Sequence, residues 1–174
     1  MGKTSGFFSF RGFTLVELLI VIAVVGIMAT GLIVLLNPLA QIQKSRDAQR
    51  KSDLSEIQKA LEMYYQDYNR YPVSTSDFKI KGSEGNPVEW GTVSWSPYMS
   101  VLPKDPSGTR KYIYYSPDDH TYLLYTSLER GANDPQVCTG TGNKCTNVPT
   151  GADCGNDGNS AICNYGVSSQ NVSI

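Results

Sequence analysis

The residues able to do chemistry are few and scattered. His120 is the only histidine and follows Asp118 and Asp119. Catalysis there would need a nucleophile and an oriented base, and the sequence reads more simply as a polar residue beside a turn. No G-x-S-x-G, H-E-x-x-H or P-loop spacing occurs, so an enzyme is not expected. Cys138, Cys145, Cys154 and Cys163 are separated by six, eight and eight residues. They lack the close pairs of most zinc sites. Two disulfides in an oxidising compartment is the better reading. Three connectivities are open, of which Cys138–Cys145 with Cys154–Cys163 is the local one. The remaining oddity is Glu17, a carboxylate inside "RGFTLVELLIVIAVVGIMATG". In hydrocarbon such a group costs about 2.5–3.5 kcal/mol at a helix centre and less near an end.

The elements that hold these residues are uneven along the chain. Phe13 to Leu36 is 24 residues whose only polar side chains are Thr14, Glu17 and Thr30. As a helix it would span roughly 36 Å, enough for a hydrocarbon core of about 30 Å. No signal-peptidase-like site follows, so the run is expected to stay as a single-pass membrane helix. Counting lysine and arginine alone would leave the C-terminal side in the cytoplasm; the cysteines argue for the outside. Pro38 is expected to kink or open the helix near Val34. Beyond it Leu54, Ile57, Leu61, Tyr64 and Tyr68 make one helical face, ending at "NRYP". Asp47 with Lys51 reads as an i, i+4 pair on the solvated side.

Lys44, Arg46, Arg50 and Lys51 could grip nucleic acid, but Asp47 and Asp53 are interleaved with them. A solvated stem contacting neighbouring subunits is the simpler reading, and nucleic acid is not expected as a partner. The net charge of −1 agrees. Residues 73–96 are turn-rich and give no clear element. Arg110–Ser116 and His120–Leu128 read as an antiparallel hairpin joined by "PDD", packed on the amphipathic helix. The tyrosines supply its core and rim. From Ala132 the chain carries six glycines, four cysteines and one aromatic, Tyr165. This tail needs crosslinks or an ion to hold a shape.

The start of the chain resembles type IV pilins and type II secretion pseudopilins. The likeness rests on a short basic leader ending in Gly12, then Phe13, a glutamate at the fifth position after that glycine, and an apolar helix. It implies cleavage between Gly12 and Phe13 by a prepilin peptidase, methylation of the Phe13 amine, and assembly through Glu17. It also implies an α+β lollipop fold, a long N-terminal helix packed on a small antiparallel sheet, closed here by a disulfide-bonded tail. "LPKDPSGTRKY" is similar to the turn that leads into the sheet of major pseudopilins. Where those usually have tryptophan, this chain has Ser107, and its cysteine tail is an addition that favours a pilus subunit.

That resemblance also implies calcium in a loop after the last strand. Only Asn133 and Asp134 match, with Asp153 and Asp157 in the tail; "GADCGNDGNS" reads equally as a plain turn. No other cofactor is expected. The expected segments are a leader (1–12), a transmembrane and filament-core helix (13–36), an amphipathic half (37–71), a headgroup (72–131) and the tail (132–174). The expected function is a structural subunit of a type IV pilus-like extracellular filament. It would form a homo-oligomeric helical assembly, built from the inner or cytoplasmic membrane by an assembly platform, with lipid around the helix beforehand. The alternatives are a type II secretion major pseudopilin and an uncleaved single-pass membrane protein with an extracytoplasmic binding domain.

Overall fold

In the computed structural model, residues 12–82, 85–91, 95–155, 161–170 and 172–174 are described, with 32–36 described in backbone only. The leader residues 1–11 and Asp157 lie outside them. The chain divides into two compact units, residues 1–41 and 42–174.

In the first unit, helix α1 spans Leu15–Leu36. Thr14 caps it: its backbone is extended and its hydroxyl accepts the Glu17 amide at 3.2 Å, meeting one of the donors a helix start leaves unpaired. Thr30 Oγ donates to the Gly26 carbonyl at 2.9 Å, so a hydroxyl on an apolar helix is satisfied internally. The expected opening near Val34 falls later. The helical backbone runs to Leu36, Asn37 turns left-handed (φ 41°), and Pro38 begins helix α2, Pro38–Tyr68. Proline is tolerated there because the first position of a helix has no intrahelical partner for its amide. Asn37 Oδ1 accepts the Ala40 amide at 3.4 Å, so one residue stops α1 and starts α2.

Within residues 42–174, α2 ends at Tyr68 with Asn69 left-handed (φ 54°) and its amide on the Tyr65 carbonyl, a helix stop of the αL kind. The α2 face expected from spacing is real. Leu54, Ile57, Ala60 and Leu61 are buried, Tyr64 packs at the edge, and Tyr68 lies exposed against it with ring centroids 4.6 Å apart. The sheet is antiparallel in the order β1 (Ile113–Tyr115), β2 (Leu123–Thr126), β3 (Tyr165–Ser168). Ile113 faces Tyr125 and Leu124 faces Val167. The expected hairpin is therefore β1–β2, and the tail adds a third strand that composition did not announce.

Alternation along β1 and β2 decides what covers each face. Tyr114 and Leu124, with Tyr112 and Tyr122 flanking the strands, pack with Leu54, Ile57 and Leu61 of α2. Ile113, Leu123 and Tyr125 point the other way, into a second cluster with all four cysteines. The sheet thus lies between helix and tail, and both faces of β2 are buried. The turn-rich stretch 73–96 contributes Ile80, Val88 and Trp95 to the helix-side core through short antiparallel bridges such as Ser74 with Ile80.

Cys138 pairs with Cys145 and Cys154 with Cys163, the local connectivity. The tail has no run of large aliphatic residues, so the two buried cystines are themselves much of its apolar content. Backbone bonds knit the loops together: the Cys138 amide donates to Asn164 and the Cys145 amide to Cys163.

Candidate functional site

Two constellations stand out, one in each unit. The first is the N-terminal turn of α1. Phe13 is 82% exposed, and Leu15, Val16, Leu18, Leu19, Ile20, Val21 and Ile22 are all exposed around the helix. Glu17 sits in the first turn, the end at which the helix dipole favours a carboxylate. Gly12 is exposed, and a side chain built on it would meet nothing within 4 Å. An apolar surface bare on every side needs lipid or other protein to cover it. Among the described residues no helix is long and apolar enough to cross a membrane; the far end of the expected span, residues 32–36, lies outside the described side chains.

The second constellation clasps α2 to the loops around the sheet. Arg50 was expected on a solvated face; it is fully buried. Its Nε and Nη2 donate to the two oxygens of Asp105 at 2.7 and 3.0 Å, its Nη1 to Asp47 at 2.7 Å, and its Nη2 also to Ser107 Oγ at 3.0 Å. Glu129 lies 3.0 Å from the same guanidinium and takes both Nε and Nη2 of Arg46, at 2.8 and 2.6 Å. The planar fork of arginine suits such two-point pairing.

Asp47 likewise is not solvated and does not pair with Lys51. It is 3% exposed and accepts the amides of Glu129 and Arg130 at 2.8 and 2.9 Å. The backbone leaving β2 supplies two donors that a helix neighbour could not, and a buried carboxylate must satisfy its oxygens. Lys51 turns instead to Asp134, 2.7 Å from both its oxygens. Of the four cations Lys44, Arg46, Arg50 and Lys51, Lys44 alone is exposed, and the other three are bound to carboxylates.

Three carboxylates and the guanidiniums of Arg46 and Arg50 meet here, with Arg110 close enough to feel Glu129, Asp47 and Asp105. Burial alone would push the Asp105 carboxyl up, but donation from Arg50 and Ser107 outweighs it and holds Asp105 below the usual carboxylate range. Glu129 is held low in the same way, burial being overcome by Arg46 and Arg50. Asp53, one turn along, goes the other way: burial raises it despite the Tyr112 hydroxyl donating at 2.6 Å. The "KDPSG" turn aims Asp105 at Arg50, and Ser107 adds its amide and hydroxyl to Asp105 Oδ1 at 2.9 and 2.6 Å. The serine standing where tryptophan is usual is thus part of the clasp.

The other expected positions are placed as follows. His120 is exposed beside Asp119 in the hairpin turn, 3.6 Å from its carboxylate, with no nucleophile joined to it among the described residues. Asn133 is exposed. Asp153 Oδ1 accepts the amides of Gly155 and Ala161 at 2.7 and 2.9 Å, closing the second cystine loop.

The build here, a bare apolar first helix followed by one that carries a small antiparallel sheet, is that of the pilin class. Residues 37–147 match the family described as type II secretion system (T2SS), protein G, and residues 8–33 match the prokaryotic N-terminal methylation motif. The chain belongs to the type II secretion protein G family. Among its relatives is the type II secretion system core protein G of Pectobacterium carotovorum, 34% identical over 125 residues, covering 68% of this chain and 74% of that protein. The core protein G of Vibrio cholerae is 30% identical over 75% of this chain and 86% of its own length. The type IV wide pilus major component PilA4 of Thermus thermophilus is 32% identical over 74% of this chain and 96% of that protein. No solved structure matches.

Proposed function

We propose that the chain is a structural, non-enzymatic subunit of a type IV pilus-like filament, anchored in the membrane by α1 and assembled from it after leader removal. The observation that carries this reading is the bare apolar helix with Glu17 in its first turn, inside a match to the methylation motif. A prepilin peptidase cuts between Gly12 and Phe13 and the new amine is methylated. An exposed glycine without a side chain suits entry of the backbone into a protease site. The same apolar surface serves first as membrane anchor and then as filament core, while residues 42–174 stay outside, where two disulfides persist.

Glu17 then has a partner. In a lone subunit it reaches the interface and stays hydrated; in a packed filament it is withdrawn from water together with the positive amine of Phe13. Two buried charges are costly apart and far less so paired. Glu17 of an incoming subunit meets the Phe13 amine of the one before, which sets axial register. An uncut leader would displace that amine.

A short type II secretion pseudopilus is the second reading, favoured by the match of residues 37–147 and by relatives named core protein G. Shearing cells and identifying the filament components by mass spectrometry separates the two. This chain is expected among the components of long surface filaments. Absence of filaments together with a secretion defect in a deletion strain would select the pseudopilus.

A further inference from the structure

The segment after the central strand holds a cation of its own. Lys51, projecting from α2, places Nζ 2.7 Å from each oxygen of Asp134 and 2.9 Å from Gln136 Oε1. The ring of Tyr165 on β3 lies 5.4 Å away, within cation–π range. An ammonium has three protons to donate, and three oxygens receive them. Asp134 further accepts the Gln136 amide at 2.9 Å, and the segment opens with a 3-10 turn at Gly131–Asn133. Helix, loop and third strand therefore converge on one positive charge.

The resemblance implied calcium in this region, and the residues present do not fit it. Calcium takes six to eight oxygens at about 2.3–2.6 Å. Of the two carboxylates between β2 and Cys138, Glu129 is taken by Arg46 and Arg50 and Asp134 is engaged on both oxygens by Lys51, and a divalent ion at the same distance would face the ammonium directly. Among the described residues no group of three or more His, Cys, Asp or Glu could hold a metal. Asp153 Oδ1 already accepts the Gly155 and Ala161 amides. We propose that the Lys51 ammonium is the resident cation of this loop, so that its closure needs no divalent metal. A metal ion leaves when its concentration falls; an ammonium tethered to α2 does not. The loop stays closed in calcium-poor surroundings as firmly as in calcium-rich ones.

The test is thermal unfolding of the full chain in detergent, followed by tryptophan and tyrosine fluorescence, with EDTA, calcium or magnesium. The wild-type melting temperature is expected to be the same in all three. Lys51→Met should melt about 2–4 °C lower in EDTA, the shift a lost partly buried pair gives at this chain length. Asp134→Asn should do the same, which keeps the test open should Lys51→Met fold poorly. A calcium-dependent rise appearing in Lys51→Met would also support the proposal, because Asp134 is then free. A wild-type melt raised by calcium and not by magnesium would overturn it, as would Lys51→Met and Asp134→Asn both melting like wild type in EDTA. The readout concerns the isolated chain, so it stands or falls separately from the filament reading.

Discussion

Arg50 shows how much one side chain can hold together. It binds Asp47 on its own helix, Asp105 in the turn before β1 and Glu129 after β2. Removing it leaves buried carboxylates unpaired, which typically costs about 3–5 kcal/mol. Arg50→Met is expected to lose that much in urea unfolding, and Arg50→Lys to recover only part, since an ammonium cannot make the two-point contact with Asp105. The cluster also sets a pH dependence. Asp105 and Glu129 are held below their ordinary values, so their contribution is complete above the unfolded carboxylate pKa of about 4 and is lost as pH falls through the depressed values. Asp53, raised by burial, acts in the opposite sense: its contribution is full at low pH and fades as pH rises through its folded value. Unfolding free energies across a pH series should therefore fall on the acid side in wild type and fall less in Arg50→Met. None of this was legible in the sequence. Cations interleaved with acids on a helix look the same whether solvated or buried, and the partners lie 55 and 79 residues away in sequence.

At the scale of elements, what was legible followed from local periodicity. Leu54, Ile57 and Leu61 declared their helical face, and the hairpin showed itself by β-rich runs either side of a turn. Strand β3 stayed hidden because four residues, Tyr165–Ser168, with a glycine among them carry almost no strand signal. That glycine has a packing reason. A Cβ on Gly166 would stand 2.7 Å from Tyr125 Cδ1 and 2.8 Å from the Leu124 carbonyl oxygen. Gly166→Ala is expected to destabilise by about 1–3 kcal/mol, read in urea unfolding. The disulfides act on the same layer. Each closes a short loop, for which restriction of the unfolded chain supplies about 2–3 kcal/mol. Because both cystines pack on Ile113, Leu123 and Tyr125, reduction should expose the tail to protease while α2 and its helix-side core persist. Limited proteolysis with and without reductant checks this; a tail equally resistant in both would show that β3 pairing alone holds it.

At the scale of the molecule, two kinds of surface share one chain. Residues 42–174 bury their own apolar side chains on both faces of the sheet, whereas the described side chains of α1 bury almost none. The sequence conveyed this division because an apolar run is a one-dimensional signal, and so did the motif from Gly12 to Glu17. On the proposed function, α1 is an assembly element whose carboxylate, Glu17, is matched by an amine that exists only after cleavage. Processing is the first consequence: mature protein should begin at methylated Phe13 by intact mass, and Gly12→Val should accumulate uncut precursor. The most direct measurement is filament yield from cells carrying Glu17→Ala, scored beside the mass of the same protein. The expected result is a correctly cleaved, methylated and disulfide-bonded subunit that stays in the membrane, with filaments absent or sharply reduced. Wild-type filament yield from that correctly processed variant would contradict it.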